Sequence, residues 1–376
     1  MTAAEVTGAA QARAWADGTI PGTERVRPGL WSIPVPIPRN PLRYVLVYAL
    51  ELPGGVAVVD TGWSTEEAWQ ALGDGLRVAG YELGDVRCAL VTHIHPDHYG
   101  LAGRLREASG AWVGLHPADA ELLPQRYGVG VEELVAQMRS LLELNGVPAD
   151  VVGELTEASL GIREFVALAE PDVLLEDGMR LDLPGWDLRV VHTPGHSPGH
   201  VCFHLADQRV LLSGDHVLPR ISPNIAVHAQ QPGNPLASFL DSLQRLRLLE
   251  VEEVLPAHQW RFRGLAGRVE ELTRHHQRRL EELLSVLDQL PGATCWEIAQ
   301  RMTWSRPWPE VTGHMRRAAV GETLAHLILL LARAQAQHTG APQRWLGQAS
   351  SRTANRCDEP GARGECREQR EAGPRP

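Results

Sequence analysis

Short apolar runs alternate with polar turns along the first two thirds of the chain. Between about residues 29 and 263, eight apolar segments each lead into a turn, and several end on a His or Asp. They are RYVLVYALEL, GVAVVDTG, CALVTHIH, AWVGLHP, DLRVVHTPGH, VCFHLA, RVLLSGDHV and VEEVLPAHQ. Runs of this length predict buried or half-buried β-strands. We therefore expect a sheet-based α/β domain over residues 29–263, preceded by an N-terminal extension, residues 1–28.

The strand pattern stops between residues 117 and 170. VEELVAQMRSLLEL and VVGELTEASL instead carry apolar residues at helical spacing, which predicts an inserted helical lid over the sheet edge. We expect this lid to shape a mostly apolar pocket with one stripe of side chains: Val135, Met138, Leu141, Leu142 and Leu144. The alternative is a helical layer with no role in substrate binding, because a substrate-facing stripe and a core-facing stripe look identical in sequence.

The pattern from residue 264 to residue 338 is helical. Three segments carry it, and the first is a long amphipathic stretch on which His275 and His276 are interpreted as part of a solvated, charged face. Residues 339–376 are rich in Gly, Arg, Glu, Ser and Pro and poor in apolar residues. We therefore expect a small helical domain over residues 264–338 and a disordered tail over 339–376.

Composition and charge narrow the function classes. Of the 376 residues, 43% are hydrophobic and 22% charged, a balance typical of globular proteins. The net charge of −10 argues against a protein that coats nucleic acid, because phosphate binding requires clustered Lys and Arg. No signal-peptide pattern or membrane-length apolar run is found. Five cysteines without a CxxC pair predict reduced thiols, so we expect a cytoplasmic protein.

The strongest chemical signal is the run HIHPDH at residues 93–98. His93 and His95 leave a strand two residues apart, so their side chains point the same way and can reach one metal ion. Asp97 and His98 follow where the chain turns, and they can address a second metal beside the first. Asp97 is also the candidate catalytic residue, because its carboxylate can orient the attacking water and pass its proton to the leaving group.

Further candidate ligands follow three other strands. His196 lies in TPGHSPGH, Asp215 in SGDH, and His258 directly after LPA. Loops at strand ends are held in place by the sheet, so these side chains can converge on one edge. Imidazole nitrogens with carboxylate oxygens and no thiolate favour catalytic zinc with an open coordination position. For the flanking His200, a supporting role outside the metal ligands is the better interpretation.

The motifs VVDTG, THIHPDHYG, TPGHSPGH, SGDHV and LPAHQ stand in this order along the chain. In residue type, order and strand context they resemble the five signature motifs of the metallo-β-lactamase superfamily, over about residues 29–263. The resemblance implies a four-layer αβ/βα sandwich with the metals in the cleft between its two sheets. TPGHSPGH is most similar to the glyoxalase-II-like branch of the superfamily.

The same resemblance implies a role for each motif residue. The first metal would be held by His93, His95 and His196. The second would be held by Asp97, His98 and His258, with Asp215 bridging the two. Asp60 in VVDTG matches a carboxylate that orients ligands without binding metal itself.

These expectations describe a hydrolase with two zinc ions per chain. Water bound to zinc has its pKa lowered to about 7, which supplies hydroxide at neutral pH. The hydroxide would attack the carbonyl of an ester, thioester or lactone, and the apolar lid favours a small, partly apolar substrate. Glutathione is not expected, because the basic, tyrosine-bearing C-terminal segment with which glyoxalase II holds it is not found.

Two alternative functions remain open. AAVGETLAHL, within residues 264–338, resembles a helix of the winged-helix domain found in one branch of the superfamily, which would suit a ribonuclease. The acidic chain favours a structural role for this domain instead, as a brace, a lid or part of a homodimer. The second alternative is a persulfide dioxygenase, in which two His and one Asp hold a single iron, so iron is the alternative metal.

Overall fold

The protein is described here by a computed structural model that covers residues 4–158, 160–231 and 233–347. Two seven-stranded sheets face each other, and helices pack against the outer face of each. The core between the sheets includes Tyr48 from one sheet and Phe203 from the other, both fully buried. The expected four-layer sandwich is therefore confirmed.

The first sheet collects strands from the N-terminal half of the chain. After β1 (Glu5–Val6) and α1 (Ala9–Asp17), its strands are β2 (Glu24–Arg27), β3 (Leu30–Pro36), β4 (Tyr44–Leu52), β5 (Gly55–Val59), β6 (Val86–Leu90), β7 (Trp112–Leu115) and β8 (Val173–Leu174). They pair in this order, antiparallel from β2 to β5 and parallel from β5 to β8. The outer layer contains α2 (Glu66–Val78), α3 (Pro96–Tyr99) and α4 (Ala102–Ser109). Thr65 begins α2, because its hydroxyl accepts a hydrogen bond from the Ala68 amide.

The segment predicted as a helical insertion lies between β7 and β8. It contains α5 (Pro117–Ala120), α6 (Leu123–Tyr127), α7 (Val131–Leu144) and α8 (Ala149–Glu157), followed by a 3₁₀ turn, Leu160–Phe165. The predicted apolar stripe of α7 is divided. Met138 and Leu142 are buried, whereas Leu144 is 38% exposed. We keep the name lid for residues 117–170.

The second sheet is built mainly from the following part of the chain. Its strands are β9 (Arg180–Leu183), β10 (Trp186–His192), β11 (Val201–Leu205), β12 (Val210–Gly214), β13 (Glu253–Pro256) and β14 (Phe262–Arg263), and α9 (Pro235–Leu246) lies between β12 and β13. The pairing order is β1-β14-β13-β12-β11-β10-β9. Since β11 is antiparallel to both β10 and β12, and β12 is parallel to β13, three strands run in one direction. Their carboxyl ends bring the TPGHSPGH, SGDH and LPAH loops to the same edge.

The C-terminal region is not purely helical, which corrects the sequence prediction. It contains α10 (Leu265–Gln289), β15 (Ala293–Thr294), α11 (Cys295–Ala299), α12 (Gly313–Ala332), β16 (Ala336–Thr339) and β17 (Arg344–Gly347). The last strand lies inside the predicted disordered tail. It is ordered because Trp345, 1% exposed, packs into the core while β17 pairs with β15 and β16. Residues 348–376 of the predicted tail lie outside the described residues.

Two other expectations change. Residues predicted as an N-terminal extension belong to the sandwich, because β1 pairs with β14 and β2 pairs with β3. His276, interpreted as solvated, is 1% exposed, since that side of α10 packs against α12. Cys88, Cys202 and Cys295 are buried cysteines with free thiols. Among the described residues, no helix is both long and apolar enough to cross a membrane.

Candidate metal centre

Three imidazoles form one end of a cluster at the edge where both sheets present their strand ends. His93 and His95 lie after β6, and His196 lies in the loop between β10 and β11. One ring nitrogen from each lies within 4.8 Å of the others, which is within reach of a single ion. His93 Nε2 and His95 Nδ1 are 2.9 Å apart. The structure thus brings together the three residues predicted to hold the first metal.

A second group lies beside the first. Asp97, His98 and His258 also present ligand atoms within 4.8 Å of one another. His258 Nε2 is 3.3 Å from Asp97 Oδ2, and His98 Nε2 is 3.6 Å from the same oxygen. These are the three residues predicted to hold the second metal.

Asp215 lies between the two groups. Its Oδ2 is 3.5 Å from His196 Nε2, while its Oδ1 is 3.2 Å from His258 Nε2 and 3.6 Å from His98 Nε2. One carboxylate oxygen therefore faces each group, as a bridging ligand requires. Asp215 directly follows Gly214, the last residue of β12. Gly214 has a φ of 50°, and a Cβ atom at this position would lie 2.7 Å from His200 Nε2. Glycine is needed there for both reasons.

Hydrogen bonds on the outer side of the rings fix how three imidazoles face the centre. The Nδ1 atom of His196 is 2.9 Å from the carbonyl of Asn224, and that of His258 is 2.9 Å from the carbonyl of Tyr44. His98 Nδ1 is 2.8 Å from Asp60 Oδ2. Because each Nδ1–H donates outward, each Nε2 lone pair is directed into the cluster, which is the usual arrangement for histidine ligands.

Asp60 supports the cluster from the end of β5. It adopts a φ of 63°, uncommon for a residue with a side chain, and its carboxylate also accepts hydrogen bonds from the Thr92 amide at 2.8 Å and the Thr92 hydroxyl at 3.1 Å. Its contact with the candidate ligands runs through His98. This position agrees with a residue that orients ligands without being one.

His200 lies behind the ligands. Its Nδ1 is 2.8 Å from the Thr193 hydroxyl, and its Nε2 accepts a hydrogen bond from the Asp215 amide at 3.2 Å. The ring is therefore placed to hold the backbone of the bridging residue, and both of its nitrogens have partners. We assign His200 a supporting position.

Sequence reasoning missed Asp119. This residue of α5 is fully buried, and its carboxylate accepts hydrogen bonds from the Ile94 amide at 2.8 Å, the Ser197 hydroxyl at 2.8 Å and the Gly199 amide at 2.7 Å. It ties the HIHPDH loop to the TPGHSPGH loop and so fixes the spacing of ligands from the two sheets. The available signal was an acidic residue three positions after His116, a further His at the end of a strand, but the segment was interpreted only as lid.

Four buried ligand atoms have no hydrogen-bond partner among the described residues: His98 Nε2, His196 Nε2, His258 Nε2 and Asp215 Oδ1. Leaving such atoms unsatisfied is costly, and all four belong to the same cluster of candidate ligands. In tetrahedral coordination with bonds of about 2.0–2.1 Å, neighbouring ligand atoms lie about 3.4 Å apart. The observed 3.2 to 3.6 Å separations match that spacing. The nitrogen and oxygen donor set therefore fits divalent metal ions.

Burial and neighbouring charges separate the imidazoles into two kinds. Burial, followed by the nearby imidazoles, holds the pKa values of His93 and His95 well below the ordinary value. Burial also lowers the pKa of His98 and of His258, but the carboxylates outweigh it: Asp97 and Asp215 raise the pKa of His258 to about 10 and, together with Asp60, hold that of His98 well above its ordinary value. A cation entering this site displaces protons from the second kind.

Comparisons with known proteins agree with this geometry. Residues 40–258, more than half of the chain, match the family model described as the metallo-beta-lactamase superfamily. The chain is 27% identical over 292 residues to the probable metallo-hydrolase YqjP of Bacillus subtilis, covering 76% of this chain and 87% of that relative.

Solved structures and a shorter relative add to this. The metallo-beta-lactamase family protein TTHA1429 from Thermus thermophilus is 36% identical with a TM-score of 0.74, and the match covers 86% of this chain and 100% of that chain. A beta-lactamase domain protein from Burkholderia ambifaria is 28% identical, also with a TM-score of 0.74, covering 92% and 97%. The atrochrysone carboxyl ACP thioesterase AgnL7 of Paecilomyces divaricatus is 31% identical, but over only 31% of this chain and 34% of its own length.

Proposed function

Because the chain belongs to the metallo-β-lactamase superfamily, we propose that it is a zinc-dependent hydrolase acting on an ester, thioester or lactone carbonyl of a small, partly apolar substrate. The observation that carries this proposal is the set of seven His and Asp side chains at one cleft, divided into two groups with Asp215 between them. A two-metal hydrolase uses two such groups to act on the attacking and leaving oxygens, or sulfur, of one reaction.

The chain's own residues would have distinct tasks. His93, His95 and His196 would hold one zinc ion and Asp97, His98 and His258 the other, with Asp215 between the two groups. Zinc bound there would supply a water ligand with a pKa lowered to about 7 and would polarise a carbonyl oxygen. Asp97 keeps 13% of its side chain exposed at the mouth of the cluster. Burial raises its pKa, but His98 and His258 outweigh this and hold the pKa below its ordinary value, so Asp97 is ionised at neutral pH. It can therefore accept the water's proton and deliver it to the leaving group.

Two observations support an acyl substrate over a phosphodiester. One relative is named as an acyl-carrier thioesterase, although the match covers about a third of that protein. In addition, a partly apolar cavity of the lid has Val135 and Met138 in its wall, and its Tyr127 donates a hydrogen bond to the carbonyl of Ile94, between two candidate ligands. An acyl thioester or ester would use both features.

Mononuclear iron chemistry is the second candidate. His93, His98 and Asp215 also offer three ligand atoms within 4.8 Å, a two-His, one-Asp set suited to a single iron. A single iron there leaves His258 and His196 without a partner for their buried Nε2 atoms, whereas two metals occupy all of them. We therefore favour the two-metal hydrolase.

The C-terminal region, residues 264–347, is proposed to be winged-helix-like and to serve the catalytic domain rather than nucleic acid. Its three helices and three-stranded sheet support the comparison with a winged helix. Its α12 packs against α8 of the lid and α9 of the sandwich. A helix held in this way is placed to shape the substrate cavity.

The test is a substrate panel on the metal-loaded protein. We expect hydrolysis of a thioester, an ester or a lactone, abolished by chelation and restored by zinc. The reference is bis(p-nitrophenyl) phosphate, which reports phosphodiesterase activity. Turnover of that compound with none of the carbonyl substrates would favour the nuclease alternative and contradict the proposal.

A further inference from the structure

A cavity of about 80 Å³, counted as the space open to the centre of a water molecule, lies between the lid and α12. Lid helices α6 and α7 form part of its wall, the 3₁₀ turn after α8 forms another part, and Arg317 of α12 closes the far side. Val135 and Met138 of α7 make one wall apolar. More of its lining is apolar than polar, as the sequence predicted, but three of its lining residues are arginines, which the sequence prediction did not include.

The charges of this cavity all have one sign. Arg126 from α6, Arg163 from the 3₁₀ turn and Arg317 from α12 line it, and among the described residues that line it there is no Asp or Glu. Burial and the nearby Arg126 lower the pKa of Arg317 to about 10. Grouping like charges in a half-buried space is unfavourable, and an anionic ligand would reduce that cost.

Arg163 supplies a second, independent observation. Its guanidinium donates one short hydrogen bond to the carbonyl of Gly128, while its buried Nε–H has no partner among the described residues. A buried guanidinium donor is rarely left unsatisfied, because the loss of hydration is costly. A carboxylate or phosphate oxygen is the acceptor that guanidinium geometry suits best.

The cavity lies next to the metal centre. Tyr127, which also lines it, donates its hydroxyl to the carbonyl of Ile94 at 2.9 Å, and Ile94 stands between the ligands His93 and His95. Arg126 is close enough for its charge to contribute to the lowered pKa of His95. These contacts place one wall of the cavity beside the loop that carries His93 and His95.

We propose that Arg126, Arg163 and Arg317 form an anion-binding subsite of the lid cavity, which receives a carboxylate or phosphate carried by the substrate. The substrate class is then an acyl ester or thioester that combines an apolar chain, packed on Val135 and Met138, with an anionic group. This inference rests on the proposed function for the position of the scissile carbonyl, but the subsite itself rests on the arginines.

The experiment uses two pairs of thioesters on the metal-loaded protein. Adipoyl and hexanoyl thioesters of N-acetylcysteamine differ by a terminal carboxylate, and hexanoyl phosphopantetheine and hexanoyl pantetheine differ by a phosphate. The wild type should prefer the anionic member of at least one pair, which identifies the anion. Arg126→Gln and Arg317→Gln should each lower kcat/KM for that member by about ten- to a hundredfold, the effect of one charge-assisted hydrogen bond, with little change for the neutral member.

Two controls separate this from general damage. Arg139→Gln alters an exposed arginine of α7 that pairs with Glu143 at 3.9 Å, and it should leave the preference unchanged. Arg317→Lys keeps the positive charge and should retain part of the preference for the anionic substrate. This variant replaces Arg317→Gln if Arg317→Gln folds poorly. The subsite would be overturned if the preference for the anionic substrate were equal in the wild type, Arg126→Gln and Arg139→Gln. It would also be overturned if the wild type preferred the neutral member of both pairs.

Direct binding keeps the subsite testable if no thioester is hydrolysed. Calorimetry would measure adipate and inorganic phosphate binding to the metal-loaded wild type and to Arg126→Gln. Weaker binding by the variant, with unchanged metal content, would support the subsite even though the proposed function had failed. Equal binding by both proteins, or no binding of either anion, would count against it.

Discussion

The metal centre combines buried imidazoles with carboxylates. The neighbouring lid cavity is instead lined by three arginines, with no carboxylate among its described lining residues. The first region is held by outer hydrogen bonds from Asp60, His200 and the backbone. For the second, we propose that an anionic group of the substrate pairs with the arginines. Substitutions in the metal centre should therefore affect metal binding and kcat, while substitutions in the cavity should affect substrate preference.

The largest effect is expected from Asp215→Ala. Removing the carboxylate between the two groups takes a ligand from each at once, so bound metal and turnover should be lost together. We expect kcat to fall by about a thousandfold or more, since bound metals supply several kcal/mol of transition-state stabilisation. Metal analysis and turnover are the measurements, with circular dichroism to check the fold. A variant with two tightly bound metals and normal activity would show that Asp215 is not the bridge.

A smaller effect is expected from Asp119→Asn. The amide cannot accept all three hydrogen bonds from Ile94, Ser197 and Gly199, so the two ligand loops should lose their fixed spacing. Outer partners of this kind are worth about 10–100-fold in metal affinity or activity. Competition with a chromophoric chelator measures the affinity, and the exposed Asp150→Asn is the matched control. Wild-type affinity and activity in Asp119→Asn would remove this residue from the account.

On the cavity side, Met138→Ala and Leu142→Ala give a paired test. Both side chains are buried in α7 and belong to the same apolar core, but only Met138 also lines the cavity. Both variants should lose about 2–5 kcal/mol of unfolding free energy. Only Met138→Ala should also change the relative rates on short and long acyl thioesters, by about 1–3 kcal/mol in transition-state binding. If the substrate profile were unchanged in both variants, α7 would contribute to the packing of the protein but not to substrate selection.

The two regions should also differ in their response to pH. His98 and His258 have raised pKa values, about 10 for His258, so the metal-free protein keeps protons there that metal must displace. Metal affinity should therefore rise with pH through neutrality, with about one to two protons released per chain, measured by calorimetry in buffers of different ionisation enthalpy. Adipate binding in the cavity should vary little from about pH 6 to 8, because arginine does not titrate there and the adipate carboxylates stay ionised. Metal binding without proton release would contradict the assigned charges.

Much of the sandwich could be predicted because each of its central strands is a continuous apolar run in the sequence. All eight predicted segments correspond to strands, from β4 to β13. Short edge strands such as β1 and β8 have two residues each and carry no pattern, and β17 is ordered mainly by the burial of Trp345. Such elements form because they pair with a neighbouring strand or pack against the core. These are long-range contacts that the local sequence pattern does not show.

The candidate ligands could be predicted for a similar reason. His93, His95 and the later His and Asp residues each follow a strand, and strand ends meet at one edge. The supports could not be predicted, because Asp119 acts through contacts with residues from two distant loops. The arginines of the cavity come from three separate elements, so only the packing of α12 on the lid brings them together.

The central claim is that two metal ions share one cleft, and metal stoichiometry tests it most directly. Elemental mass spectrometry on the purified protein, together with its activity on a thioester, should give two divalent ions per chain, with zinc restoring activity to the chelated protein. Asp215→Ala should lose both ions. One iron per chain, with no gain in metal or activity on adding zinc, would contradict the two-metal hydrolase and favour the mononuclear alternative.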